Sequence, residues 1–489
     1  MKRFLFLLVL IATTLVLGSC LRVMVQRVMD YDEIAHAHAV WLTALGDVPF
    51  YDFFENHPPF PWIALAPMAR GVLDGETLVL RLRILSFIGQ IAFLVLLVAN
   101  MRLGRRDLDP LWTCVALLTM LTSEGNIGYL IESRPDIWAA AALLGAILIA
   151  RLESIRPFVR YSAYGFLATA SLCWSPKLIA LAGLFGLVEV MVLVRNRRES
   201  IVAFLAMIAG GTVAIALALA TLSVTGIDPR DAYALTIGYN SAFGRNGGWG
   251  PGLWRTILTH WTLSVPAAGG LVCWLIAVAR RELRPSSFEI AVAGFLFAQL
   301  VLVPFPYKQY YAPWLFFAAV FIPFYSLLVD RVRVFRAITL PIALVFLCVK
   351  AAFAYQIAGT TDGFERTGEF WRFLKAQAGD NLRIVAPIPL HPITVRDTMY
   401  AVTGTNGVDI RYGPEAILRD LAHPVFSPRF TEAYYRNELE TKPPQVIVIG
   451  TWPDSLFPIQ RRVVESFLHA HAADYERRVV GWREVFVRR

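Results

Sequence analysis

Residues 29–62, MDYDEIAHAHAVWLTALGDVPFYDFFENHPPFPW, hold six carboxylates and three histidines without a Lys or Arg. These are the side chains that take and release protons near neutral pH. From Asp32 to about Leu45 the run DEIAHAHAVWLTAL has helical character, with Asp30 placed as a cap. On that helix Asp32 and His36, four residues apart, share a face, with Glu33 one position round. GDVPFYDF then turns the chain, and NHPPFPW leads it back into apolar sequence, bringing Asp52, Glu55 and His57 after the helix. A solvated acidic loop accounts for the carboxylates. It does not account for the Trp, Tyr and Phe among them, which are side chains that line sites for rings.

Three other short segments carry isolated charges: IESRPD (131–136), SPK (175–177) and PYKQYY (306–311). Arg134, Lys177 and Lys308 each read equally well alone as cations snorkelling at a membrane surface. They matter together because the elements around them put all three segments on one side of a membrane.

Those elements are apolar. The chain has 489 residues, 56% of them hydrophobic, and a mean hydropathy of +0.54, beyond what a soluble globular protein carries. A bilayer about 30 Å thick needs helices of roughly 17–25 apolar residues. About eleven such spans are expected, centred on 4–21, 82–100, 110–124, 136–152, 162–175, 177–194, 201–224, 262–279, 288–304, 312–329 and 335–355. With the N-terminus in the cytoplasm, the inner loops are 102–107, 151–160, 195–198, 280–284 and 330–336. Each carries three Arg, as the positive-inside rule requires. The first loop (22–81), the three charged segments and the C-terminal residues then lie on the periplasmic face. This implies a multi-pass protein of a bacterial inner membrane.

The net charge of +9 is a consequence of that topology. Residues 356–489 hold 17 basic and 16 acidic residues, so the surplus belongs to the membrane half. No basic patch exists for nucleic acid, which is excluded as a partner. Cys20, Cys114, Cys173, Cys273 and Cys348 all fall in or at the ends of predicted spans, so no disulfide framework is expected outside. The Leu-Gly-Ser-Cys ending at Cys20 resembles a lipoprotein signal, but it reads more simply as the end of a first span.

Two domains follow: a membrane-embedded region, 1–355, and a small soluble periplasmic α/β domain, 356–489. In the second, 382–387 and 445–450 read as buried strands, 414–422 and 457–472 as helices, and 475–489 as one or two strands.

A base, several cations and aromatic walls on the outer face suit sugar transfer from a lipid phosphate. Nucleotide sugars are not available there, so the donor must be carried by a membrane lipid. A carboxylate would take the proton of the attacking hydroxyl, and Lys or Arg would hold the departing phosphate. A lipid-linked sugar transporter or flippase, and another exoplasmic polymerase or ligase, are the alternatives. A transporter would normally show internal repeats and ionisable residues at mid-membrane, whereas the polar residues singled out here cluster at one face.

The order of Asp32-Glu33 after the first span, His57-Pro58-Pro59-Phe60 before Trp62, and Arg134-Pro135 in the next outer loop resembles the GT-C glycosyltransferases. The likeness is to the family-39-like group, which includes the protein O-mannosyltransferases and the lipid A aminoarabinose transferases. It implies a GT-C-like polytopic fold, Asp32 as catalytic base and Glu33 as the neighbour that positions the loop or the acceptor. The pattern departs at His57, where many relatives of the lipid A type have Lys. Lys177, Lys308 and Arg134 are then the expected donor-phosphate ligands, with His36, Asp52, Glu55, His57, Tyr310 and Tyr311 binding substrate. The expected partners are a polyprenyl-phosphate sugar donor, membrane lipids, and a lipid, glycan or protein acceptor. Asp32, His36, Asp52 and Glu55 are metal-ligand types, but the resemblance implies no metal and no cofactor.

Overall fold

The computed structural model describes residues 2–26, 31–103, 105, 108–123, 131–193, 197–241, 256–302, 312–329, 333–358, 363–378, 382–386, 395–397, 401–403, 427–449, 458–481 and 483–489. It is mostly helical, and it forms two compact units that draw on separate stretches of chain.

The first unit comprises Met1–Val25, Ile84–Ala218 and Gly247–Thr360. Its helices are α1 (Lys2–Gln26), the C-terminal part of α4 (Gly75–Arg102), α5 (Pro110–Leu121), α6 (Pro135–Arg151), α7 (Pro157–Trp174), α8 (Ile179–Val192), most of α9 (Arg197–Val224), α11 (Trp261–Ala279), α12 (Ser287–Leu302), α13 (Ala312–Ala318), α14 (Tyr325–Val329) and α15 (Arg333–Ala358). Five of them, α1, α4, α9, α11 and α15, are long and apolar enough to cross a membrane. The other apolar helices fall at the predicted spans but are shorter or interrupted. The span predicted over 312–329, for instance, holds a 3-10 turn, Ala319–Phe324, between α13 and α14. Pro323 lies inside that turn, where it has no N–H to give to an α-helix.

Packing among these helices relies on small residues. A Cβ on Gly165 of α7 would fall 2.1 Å from the Met207 carbonyl oxygen, and one on Gly210 of α9 would fall 2.0 Å from that of Ser162. The two backbones therefore touch, a contact only glycine permits. Arg105 donates to both oxygens of Glu289 at 2.6 Å, and Trp274 Nε1 donates to Glu289 Oε2 at 2.9 Å. Buried charges are thus paired at the arginine-rich loop end rather than left alone.

The second unit comprises Gln26–Arg83, Leu219–Asn246 and Thr361–Arg489. Residues 26–83, most of the first loop that the sequence assigns to the membrane region, thus group with the C-terminal residues. Here lie α2 (Tyr31–Ala44), β1 (Phe53–Glu55), α3 (Phe60–Ala69), α10 (Pro229–Tyr233), α16 (Gly363–Ala378), β2 (Leu382–Val385), β3 (Val395–Asp397), β4 (Ala401–Thr403), α17 (Glu432–Thr441), β5 (Val446–Val448), α18 (Pro458–Ala470), β6 (Tyr475–Val480) and β7 (Arg483–Arg488). A five-stranded sheet runs β3-β2-β5-β7-β6, with β2 parallel to β3 and β5, and β7 antiparallel to β5 and β6. β1 pairs in parallel with β4, Phe53 to Ala401 and Glu55 to Thr403.

The strands read at 382–387 and 445–450 correspond to β2 and β5, the helix at 457–472 to α18, and the terminal strands to β6 and β7. The helix read at 414–422 lies outside the described residues. α17 was not anticipated. Its signals are the Thr431 side chain accepting from Tyr434 N at 3.2 Å as an N-cap, and Tyr435 and Leu439 buried one turn apart.

Candidate functional site

Sequence and structure agree on the opening of α2. Asp32 and Glu33 occupy its first turn, where the helix dipole favours negative charge. Adjacent positions on a helix face about 100° apart, and the two carboxylates are separated accordingly. Asp32 is partly exposed, whereas Glu33 is fully buried.

Glu33 is held by Arg83. The guanidinium donates from Nε to Oε1 at 2.7 Å and from Nη2 to Oε2 at 2.6 Å, with both side chains no more than 1% exposed. This two-pronged pair fixes plane as well as distance. Arg83 was missed in the sequence, although an arginine within an apolar run (RLRILSF, 81–87) asks for a buried partner.

Between α2 and α3 the chain makes a tight turn. Val48 N donates to Asp52 Oδ2 at 2.7 Å, Asp52 N donates to Val48 O at 2.9 Å, and Phe50 is forced to a φ of 73°. Such a φ is unusual for a bulky side chain, and it is stabilised by full burial of Phe50. Asp52, expected to bind substrate, closes this turn through its side chain. Tyr51 at the apex donates to Asp231 Oδ2 at 2.6 Å, and the Arg429 guanidinium donates to the Tyr51 carbonyl.

The turn delivers β1, and with it Glu55, to α2. Glu55 is fully buried, and His57 Nδ1 lies 2.6 Å from Glu55 Oε1. The His36 ring meets the His57 ring edge-on at 5.0 Å between centroids and stacks on Trp62 of α3 at 4.7 Å. One ligand atom from each of His36, Glu55 and His57 lies within 4.8 Å of the others. Asn240 Nδ2 donates to the Asn56 carbonyl at 2.7 Å, holding the peptide between Glu55 and His57. Three residues expected to bind substrate thus converge, although nothing in their spacing announced it. Asp52 is not part of this trio.

The expected phosphate ligands Arg134 and Lys177 lie in the first unit. Lys177 Nζ donates to Asp136 Oδ2 and Ser175 Oγ to Asp136 Oδ1, each at 2.7 Å. Arg134 Nε donates to Glu132 Oε2. Segments 131–136 and 175–177 therefore meet, and their two cations are partly buried beside carboxylates. Lys308, Tyr310 and Tyr311, like Asp30, lie outside the described residues.

The fold is the GT-C fold. Among solved structures, the chain is similar to ArnT from Cupriavidus metallidurans bound to undecaprenyl phosphate, with a TM-score of 0.60 and 15% identity, covering 98% of this chain and 97% of that one. The apo state of the same protein gives a TM-score of 0.59 at 14% identity and the same coverage. A more distant likeness, with a TM-score of 0.47 and 13% identity, is to the oligosaccharyltransferase of Archaeoglobus fulgidus, over 91% of this chain and 67% of that one. No family model matches the chain, and no curated protein matches it in sequence.

Proposed function

We propose that the chain is a membrane glycosyltransferase that moves a sugar from a polyprenyl-phosphate-linked donor to an acceptor hydroxyl on an envelope lipid, glycan or protein. The observation that carries this reading is the pair of carboxylates opening α2. Glu33 is buried and clamped by Arg83, so Asp32 is presented on a fixed helix at a partly exposed position. The fold supports it, being shared over almost the whole chain with ArnT, whose structure holds undecaprenyl phosphate.

In this reaction Asp32 accepts the proton of the acceptor hydroxyl as its oxygen attacks the anomeric carbon. The bond from that carbon to the phosphate oxygen breaks, and the lipid phosphate leaves with the electron pair. Lys177, Arg134 and Lys308 are assigned the phosphate charge, and Tyr310 and Tyr311 the substrate. Glu33 positions Asp32. The N-terminus is assigned to the cytoplasm and residues 356–489 to the periplasm, following the arginine-rich loops.

The test is transfer in proteoliposomes from a panel of polyprenyl-phosphate sugars, with Asp32→Asn as control, alongside the masses of envelope glycolipids in cells with and without the chain. Donor crossing the bilayer without transfer would favour a flippase and end the transferase reading.

A further inference from the structure

His36, Glu55 and His57 have a chemistry that proton transfer by Asp32 leaves unused. We propose that they form a binding site for a divalent cation of the zinc type, whose remaining coordination position takes a phosphate oxygen.

The donor set is two imidazoles and one carboxylate. Zinc accepts this mixture in three-ligand sites that keep a fourth position open, whereas calcium and magnesium prefer oxygen alone. The three ligand atoms lie within 4.8 Å of one another. Ligands about 2.0–2.2 Å from a tetrahedral ion stand roughly 3.3–3.5 Å apart, so closure on the ion requires about 1 Å of side-chain movement. In the opposite sense, the 2.6 Å contact of His57 Nδ1 with Glu55 Oε1 is too close for two ligands of one ion. That hydrogen bond must open, and an imidazole proton it holds must leave, when the cation enters.

The supports of the trio are those of a built site. His36 is 1% exposed and stacked against Trp62, which fixes its ring plane. Glu55 ends a strand locked to β4, and the Asn56 peptide beyond it is held by Asn240. Pro58 and Pro59 stiffen the backbone after His57. His57 alone keeps access to solvent, with 23% of its side chain exposed, so the open position lies on its side. One carboxylate leaves a bound dication with a net positive charge, which calls for an anion as fourth ligand. That this anion is a phosphate rests on the transferase reading; the cation site itself does not.

Purified protein stripped with a chelator and titrated with zinc should take up one equivalent by elemental analysis. Cobalt in its place should give the visible absorption of a four-coordinate ion, shifted by inorganic phosphate and by a polyprenyl phosphate added separately. Loss of an outer-shell partner typically weakens a metal site about 10–100-fold, so Glu55→Gln and His57→Gln should weaken zinc binding by at least about 100-fold. Each variant should melt like the metal-free wild type and show no stabilisation by zinc. Failure of the folded wild type to bind zinc or cobalt, or unchanged affinity in both variants, would overturn the site. Zinc bound as described without transfer of any sugar would leave the site standing and remove the transferase reading. A cobalt spectrum indifferent to both phosphates would overturn the assignment of the fourth ligand.

Discussion

Glu33 and Arg83, fifty residues apart in the chain, meet as a doubly hydrogen-bonded pair with neither side chain more than 1% exposed. Removing one member of such a pair strands a buried charge, at a cost of about 3–5 kcal/mol. Arg83→Met should therefore destabilise the protein strongly in thermal or denaturant unfolding. Glu33→Gln combined with Arg83→Met should recover part of the loss, because no charge is left without its partner.

Asp32→Asn should behave differently. It keeps size and shape at a partly exposed position, so membrane abundance and melting temperature should stay at wild-type values. Turnover should fall by about 10²- to 10⁴-fold, the usual contribution of a general base, and more donor should not restore it. Turnover equal to wild type would remove Asp32 from the chemistry and make Glu33 or Asp52 the next residue to test.

The pairing of Lys177 with Asp136 allows its two assignments to be separated. A hydrogen bond to a charged group contributes about 1.5–3 kcal/mol. If Lys177 holds the donor phosphate, Lys177→Ala should raise the KM for donor by roughly 10- to 150-fold. Asp136→Asn, which keeps the cation, should affect KM far less. Equal effects of the two variants on melting temperature, with donor KM unchanged in both, would make Lys177 an anchor for Asp136 alone.

Of the candidate site, α2 was legible because its signals are local: two carboxylates at the start, then apolar residues among small ones at helical spacing. The same held for the sheet strands LRIV and VIV, which are short apolar runs. The convergence of His36, Glu55 and His57 was not legible. It depends on Phe50 adopting a φ of 73° and on a strand of three residues, neither of which leaves a pattern. The Glu33–Arg83 pair was hidden for a related reason: helix periodicity says which face a charge occupies, not which distant charge it meets. That residues 26–83 group with the C-terminal residues was not legible either, because a linear reading cannot see β1 pairing with β4.

A pH dependence should appear among the C-terminal elements. Burial is the largest influence on Tyr475 and pushes its hydroxyl up to about 12 from 10.0, although Arg488 opposes this. Below pH 10 the tyrosine is neutral in folded and unfolded chains alike, and its contribution is fully present. As pH rises from about 10 to about 12, the unfolded chain gives up the proton that the folded chain retains, so stability falls. Tyr475→Phe also removes the hydrogen bond to the Pro444 carbonyl, 2.7 Å in length. The variant should be less stable at neutral pH but show a flatter loss above pH 10, measured by denaturant unfolding across the alkaline range.

The parallel pairing of residues 53–55 with 401–403 also sets a clock on biosynthesis. At about 5–20 residues per second, the ribosome needs roughly 17–70 s to travel from one strand to the other. Throughout that interval the segment carrying Asp32 has left the ribosome while its partner strand does not yet exist. The nascent chain must therefore keep an unpaired strand edge from finding another chain, and the unit that holds the proposed base is completed only when translation is nearly over. A ribosome stalled before residue 401 would leave the apolar helices made and the Asp32 segment without its partner strand.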